Sequence, residues 1–137
     1  MSDAPAEIAV LDASVLVDLL AETDNAVAAR ERLRDTVLHA PAHLDAEVLS
    51  ALGRLQRHDD LTTADVEAAL AVLTTIPVTR HSVAELAAGA WTRRDELRLT
   101  DALYVELAAR LRATVLTTDQ RLARATSLAE GITDSAR

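Results

Sequence analysis

The sequence predicts an α/β domain with a small, mainly parallel sheet of four to five strands sandwiched between helices. Three observations lead there. Short apolar runs of strand length recur at residues 8–11, 36–41, 76–79 and 114–119, and each is followed by a longer segment with helical periodicity. The runs are continuous rather than alternating, as in strands covered on both faces. The chain has 137 residues, enough to bury one continuous core without a disulfide or structural metal. No repeat, low-complexity segment or linker divides it, so a single domain over 1–137 is expected. Residues 1–7 are read as a flexible N-terminus and 127–137 as a tail with a possible final edge strand.

The elements follow in order. IAVL (8–11) is a buried strand ending on Asp12, and ASVLVDLLA (13–21) is a first helix with Ser14 near its start. NAVAARERLR (25–34) is amphipathic. TVLHAP (36–41) is a strand stopped by Pro41, which lacks the N–H a ladder needs. From His43 to Arg57, Leu44, Val48, Leu52 and Leu55 recur at helical spacing. The segment 61–76 starts at a Thr cap and stops before Pro77. IPVT (76–79) is a strand. Ser82 and Glu85 form a capping-box pattern opening a helix to about Leu97. Residues 100–113 form a helix with Thr100 as its cap, TVLTTD (114–119) a strand, and QRLARAT (120–126) a short helix. A last strand is expected at Ile132–Thr133.

Composition excludes several chemistries. The chain has no cysteine, so it has no disulfides, thiolate metal sites or cysteine nucleophile. All fourteen basic residues are arginine, which removes Schiff-base chemistry and the phosphate-binding P-loop. Trp91 and Tyr104 are the only large aromatics, too few for a base-stacking platform. The net charge of −8 argues against a broad nucleic-acid-binding face, though not against a nuclease whose acids are neutralised by bound cations. No apolar run approaches the roughly 20 residues of a membrane span, and the acidic start MSDAPAE lacks the features of a signal peptide. A cytoplasmic location is expected.

Four acids stand at comparable places. Asp12 and Asp119 end strands, at the edge where parallel sheets bind ligands. Asp101 lies in the first turn of a helix, on one stripe with Val105 and Ala108; Glu47 lies one turn into its helix, beside Leu44, Val48 and Ala51. Each has a plainer reading. Asp101 suits a helix macrodipole, Asp119 suits a cap, and a helix-surface Glu47 is usually solvated. Asp12 is harder to explain away. Four gathered carboxylates repel, and a divalent cation removes that cost; oxygen-only donors favour Mg²⁺ or Mn²⁺ over zinc.

The segments VLDASVLVDLL, AEVLSALGRL, LTDALYVELA and VLTTDQRLA come in the order, and at about the spacings, of the acidic motifs of PIN-domain ribonucleases. From about Ile8 to Ile132 the chain resembles the VapC-type toxins of bacterial toxin–antitoxin pairs. The resemblance implies a PIN-like fold and a metal-dependent endoribonuclease whose catalytic and metal-binding acids are Asp12, Glu47, Asp101 and Asp119. Ser14 and Thr117 match polar positions beside the first and fourth acids. It also implies hydrolysis of an RNA phosphodiester by metal-activated water, a cognate VapB-type antitoxin offering a basic side chain to the acids, and a homodimer. The apolar helices between 44 and 76 are a candidate surface for that dimer. Arg93, Arg94, Arg98, Arg121 and Arg124 are candidates for holding phosphate, against a plainer reading as solvated helix faces.

His39 and His43 have metal-ligand spacing, but Pro41 between them breaks any helix. His58 and His81 fall at expected helix ends, and Asp18 reads as a solvated or interface residue. A phosphorylated receiver domain and an aspartate-based phosphatase both call for a lysine that is absent. The remaining rival is a PIN-like binding module without catalysis, acting through protein partners, which predicts that at least one acid is lost or displaced.

Overall fold

A computed structural model describes residues 5–133. Five strands, β1 (Glu7–Leu11), β2 (Thr36–Pro41), β3 (Val78–His81), β4 (Thr114–Thr117) and β5 (Ala129–Gly131), form one sheet in the order β3-β2-β1-β4-β5. Every pair is parallel, with Val10 opposite both His39 on β2 and Val115 on β4. The seven helices are α1 (Ala13–Ala21), α2 (Ala26–Leu33), α3 (Leu44–Arg57), α4 (Thr63–Leu73), α5 (Val83–Trp91), α6 (Leu99–Leu111) and α7 (Gln120–Ala125).

The chain steps outward from β1 to β2 to β3, then crosses back to β4 on the other side of β1. Right-handed crossovers then put α1–α4 on one face of the sheet and α5–α7 on the other. The helix contacts agree: α1 packs on α2, α3 and α4, while α5 packs on α6 and α6 crosses β1, β2 and β4. The strand order reverses between β1 and β4. In such sheets the crevice beyond the carboxyl ends of those two strands is the binding edge. The core is built from Val10, Leu11, Val115 and Leu116 of the central strands, with Leu16, Leu44, Val48, Leu52, Tyr104 and Leu107 from the helices.

Several boundaries differ from expectation. Glu7, read as part of a flexible terminus, opens β1 and accepts two hydrogen bonds from Arg32; residues 1–4 lie outside the described residues. The last strand is Ala129–Gly131, not Ile132–Thr133; Ile132 follows it, buried, and its N–H donates to Thr117 O at 2.7 Å. Pro77 cannot donate to a ladder, so β3 begins at Val78. Helix α5 ends at Trp91, where the Thr92 hydroxyl donates to Gly89 O and the polar run behind it turns. Arg98, not Thr100, is the N-cap residue of α6, and Ser82 makes no side-chain cap bond. Thr62 does cap α4: it accepts from Asp65 N at 3.0 Å while Asp65 accepts from Thr62 N at 2.9 Å. Replacing Thr62 by Ala is expected to lower unfolding free energy by about 1 kcal/mol. Urea titration checks this, with a lower midpoint at unchanged slope.

Candidate active site

The acid site is assembled at the β1–β4 switch point. Asp12 is the first residue past β1, and its N–H donates to Leu116 O at 3.0 Å, which extends the ladder by one step. Its carboxylate is buried at 7% exposure; Asp12 and Thr117 are the buried polar side chains among the described residues. Oδ2 of Asp12 accepts from the Ser14 hydroxyl at 2.5 Å and from the Thr117 hydroxyl at 2.7 Å. Thr118 N in turn donates to Ser14 Oγ, and Asp119 N to Thr117 Oγ1, each at 3.0 Å. Two short hydroxyl side chains thus tie the end of β1, the start of α1 and the turn after β4 around one carboxylate. Burial pushes the Asp12 carboxyl above its ordinary range. The bonds from Ser14 and Thr117 pull it back, and the charges of Glu47 and Asp101 push it up again.

The other three acids reach the same place from different elements. Asp119 stands at the N-cap of α7, where Oδ1 accepts from Arg121 N at 2.9 Å and Leu122 N at 3.4 Å. Its plainer role as a cap is therefore real, and its second oxygen still faces the cleft. Asp101, in the first turn of α6, has a side chain only 14% exposed. Glu47, in the first turn of α3, accepts a hydrogen bond from the Tyr104 hydroxyl at 2.6 Å. Burial, above all, and that bond hold the Tyr104 phenol far above its ordinary range, so it stays a donor. All four acids and Ser14 line one cleft of about 390 Å³, with Thr117 beneath it.

Of the predicted arginines, Arg98 and Arg121 line this cleft. Nη2 of Arg121 donates to Asp101 Oδ2 at 2.8 Å and to Asp119 Oδ2 at 2.9 Å. Arg93, Arg94 and Arg124 do not line it. Arg93 pairs with Glu106 at 3.2 Å, and Arg94 lies 4.8 Å over the Trp91 ring. Arg54, not singled out from the sequence, does line the cleft; it stands seven residues after Glu47, on the same face of α3, a spacing that was there to be read. Tyr104 was likewise missed, although it lies three residues after Asp101. Asp18 also lines the cleft, but its carboxylate accepts from Thr23 and Asn25 and so secures the turn from α1 to α2.

The His43 ring packs against Tyr104 in a tilted contact, with centroids 4.8 Å apart, and its Nε2 lies 3.1 Å from Thr100 O. His39 lies away from it, paired to His81 at 2.8 Å. Among the described residues no three acidic or histidine side chains stand close enough to form a ready-made metal cage. Glu47 is turned to Tyr104, and Arg121 stands between Asp101 and Asp119.

The raised Asp12 value has a sign that can be worked out. A carboxyl whose folded value exceeds its unfolded value favours the fold at acidic pH, and that contribution is lost as pH rises through the folded value. In EDTA at neutral pH, Asp12→Asn is therefore expected to melt above wild type, by about 4 °C per kcal/mol for a domain of this size. The gap should close as pH falls to the ordinary aspartate range. Calorimetry at several pH values checks it.

The PIN domain family profile matches residues 9–128. The chain is 61% identical over 129 residues, 93% of its length and 94% of the relative's, to ribonuclease VapC3 of Mycobacterium tuberculosis. Among solved structures it resembles VapC20 of Mycobacterium tuberculosis, described as a sarcin–ricin loop cleaving toxin. That match has a TM-score of 0.65 and 18% identity, covering 93% of this chain and 98% of the other. It also resembles a chain of VapBC2 from Rickettsia felis bound to a promoter DNA fragment, with a TM-score of 0.61 and 14% identity over 92% and 99% of the two chains. No described helix is long and apolar enough to cross a membrane. With a five-stranded parallel sheet, an acidic cleft at its switch point and this identity over nearly its whole length, the chain belongs to the PIN-domain family, in its VapC branch.

Proposed function

We infer that the protein is a metal-dependent endoribonuclease acting as the toxin of a toxin–antitoxin pair, its four carboxylates holding Mg²⁺ or Mn²⁺. One observation carries the reading: Asp12, Glu47, Asp101 and Asp119, from four separate elements, line a single cleft. The named ribonuclease relative at 61% identity supports the activity. The residues fit a hard divalent cation, because the donors are all oxygens and two of them already converge on one cationic nitrogen. Bound there, such an ion would supply a water of lowered pKa and offset charge on the phosphate.

Within this reading the protein side chains divide the work. Asp12, deepest and most rigidly held, anchors the cation, and Ser14 and Thr117 fix its carboxylate. Asp101 and Asp119 form the opposite wall. Tyr104 keeps Glu47 aimed along the cleft while leaving Oε2 of that carboxylate free of the bond. Arg54 and Arg98, both lining the cleft, would hold phosphates of the RNA near the scissile bond. An acidic cleft on a chain of charge −8 suits a VapB-type antitoxin that lays a basic segment into it. A homodimer through residues 44–76 is supported by Leu49 and Val72, large apolar side chains about half exposed on α3 and α4. The non-catalytic alternative required a lost or displaced acid, and all four reach the cleft.

Purified, antitoxin-free protein is expected to cut total RNA into discrete fragments with Mg²⁺ or Mn²⁺ and not in EDTA, with Asp12→Asn inactive. Absence of metal binding by wild type would return the acids to structural roles. Thr117→Val removes one of the two hydroxyl donors to Asp12 and the acceptor of Asp119 N, and is expected to lower metal affinity or cleavage roughly 10–100-fold. Metal titration alongside cleavage rates checks this. Arg54→Gln and Arg98→Gln should chiefly weaken RNA binding, seen as a raised KM at nearly unchanged kcat.

A further inference from the structure

We propose that Arg121 is the resident cation of the acidic cleft, holding the position between Asp101 and Asp119 until a divalent ion enters, so that metal binding and release of Arg121 are one event. This rests on the reading of the cleft as a metal site.

The geometry is specific. A single nitrogen, Nη2, lies 2.8 Å from Asp101 Oδ2 and 2.9 Å from Asp119 Oδ2. Those oxygens come from the start of α6 and the start of α7, and they point at one spot that a positive charge occupies. A divalent ion held by both carboxylates would compete with this guanidinium for the same two oxygens, and the like charges of the two cations oppose their sharing the position.

The cleft also lacks a substitute for this arginine. Arg98 makes no bond to any of the four acids among the described residues, and Arg54 donates to Ser50 at 2.9 Å. Without Arg121, the carboxylates of Asp101 and Asp119 would face each other and Asp12 with no guanidinium between them. The device is also built to move. The Arg121 side chain is 41% exposed, its stem rises from the first turn of a six-residue helix, and only its tip is bonded into the cleft. Its backbone N–H stays on Asp119 Oδ1 whichever way the side chain points, so the cap of α7 survives the swing. Once released, the guanidinium lies within reach of the rim, where an RNA phosphate sits in the proposed reaction.

The test is a calorimetric titration of antitoxin-free protein with Mn²⁺, comparing wild type with Arg121→Gln, Arg121→Lys and Arg98→Gln. Removing a competitor should tighten Mn²⁺ binding in Arg121→Gln roughly tenfold, the scale set by losing two partly exposed charge pairs. Arg98→Gln removes the same charge from the same cleft without vacating the position, and should change affinity no more than about threefold. Arg121→Lys should fall between wild type and the Gln variant. Melting gives a second readout. Arg121→Gln should melt below wild type in EDTA and recover with Mn²⁺, so its metal-induced shift exceeds that of wild type. Equal tightening in Arg121→Gln and Arg98→Gln would reduce the effect to net charge and overturn the proposal. Unchanged affinity in Arg121→Gln, with wild type binding Mn²⁺, would overturn it while sparing the metal site. No binding by wild type would remove both.

Discussion

Mutual repulsion among four carboxylates, gathered at the carboxyl ends of β1 and β4, is the constraint on which the rest of this structure depends. In water four such groups would spread apart; here the sheet fixes two of them and the helices deliver the others. The protein offsets the cost locally and differently for each acid. Asp12 has two hydroxyl donors and a raised pKa, Glu47 has the Tyr104 phenol, and Asp101 and Asp119 share one guanidinium. The gradient of burial matches this division, from 7% exposure at Asp12 to 36% for the side chain of Asp119.

The two helical layers exist, in functional terms, to bring helix starts to that edge. Helices α1, α3, α6 and α7 each begin beside the cleft, where positive helix ends face the acids. Helix α6 packs against α5, with Gly89 of α5 facing the Glu106 side chain. A Cβ at that position would overlap the carboxylate of Glu106, which is paired with Arg93 and Arg110. Arg93 thus serves the scaffold that carries Asp101, one step removed from the chemistry. Tyr104 joins the layers at the cleft floor, packed in the core with its hydroxyl on Glu47 and its ring against His43.

The exclusive use of arginine has a consequence at this site. A guanidinium presents planar donors and remains charged under all ordinary conditions, so it can lie against two carboxylates without losing its proton. It suits both neutralising the cleft from within and gripping phosphate at its rim. In the proposed reaction, such arginines would let a chain of net charge −8 meet a polyanion at a cleft whose local sign a bound cation would reverse.

The sequence by itself determined the α/β class and the longer elements, and it singled out four acids as candidates for one site. Periodicity and Pro punctuation follow from backbone geometry acting within a few residues, so β2 runs Thr36–Pro41 and α1 runs Ala13–Ala21 as the pattern dictates. Strand-end position marked Asp12 and Asp119 for the same local reason. Only the tertiary structure decided what meets across elements. The Tyr104 bond to Glu47 spans 57 residues, the Thr117 bond to Asp12 spans 105, and Arg121 reaches back to Asp101. Short elements were equally undetermined: β5 is three residues long and is fixed by its pairing with β4 rather than by its own composition. Spacing along a chain records which residues share a face of one element. Which faces converge depends on strand order and crossover hand, and those are settled only when the sheet closes around its core.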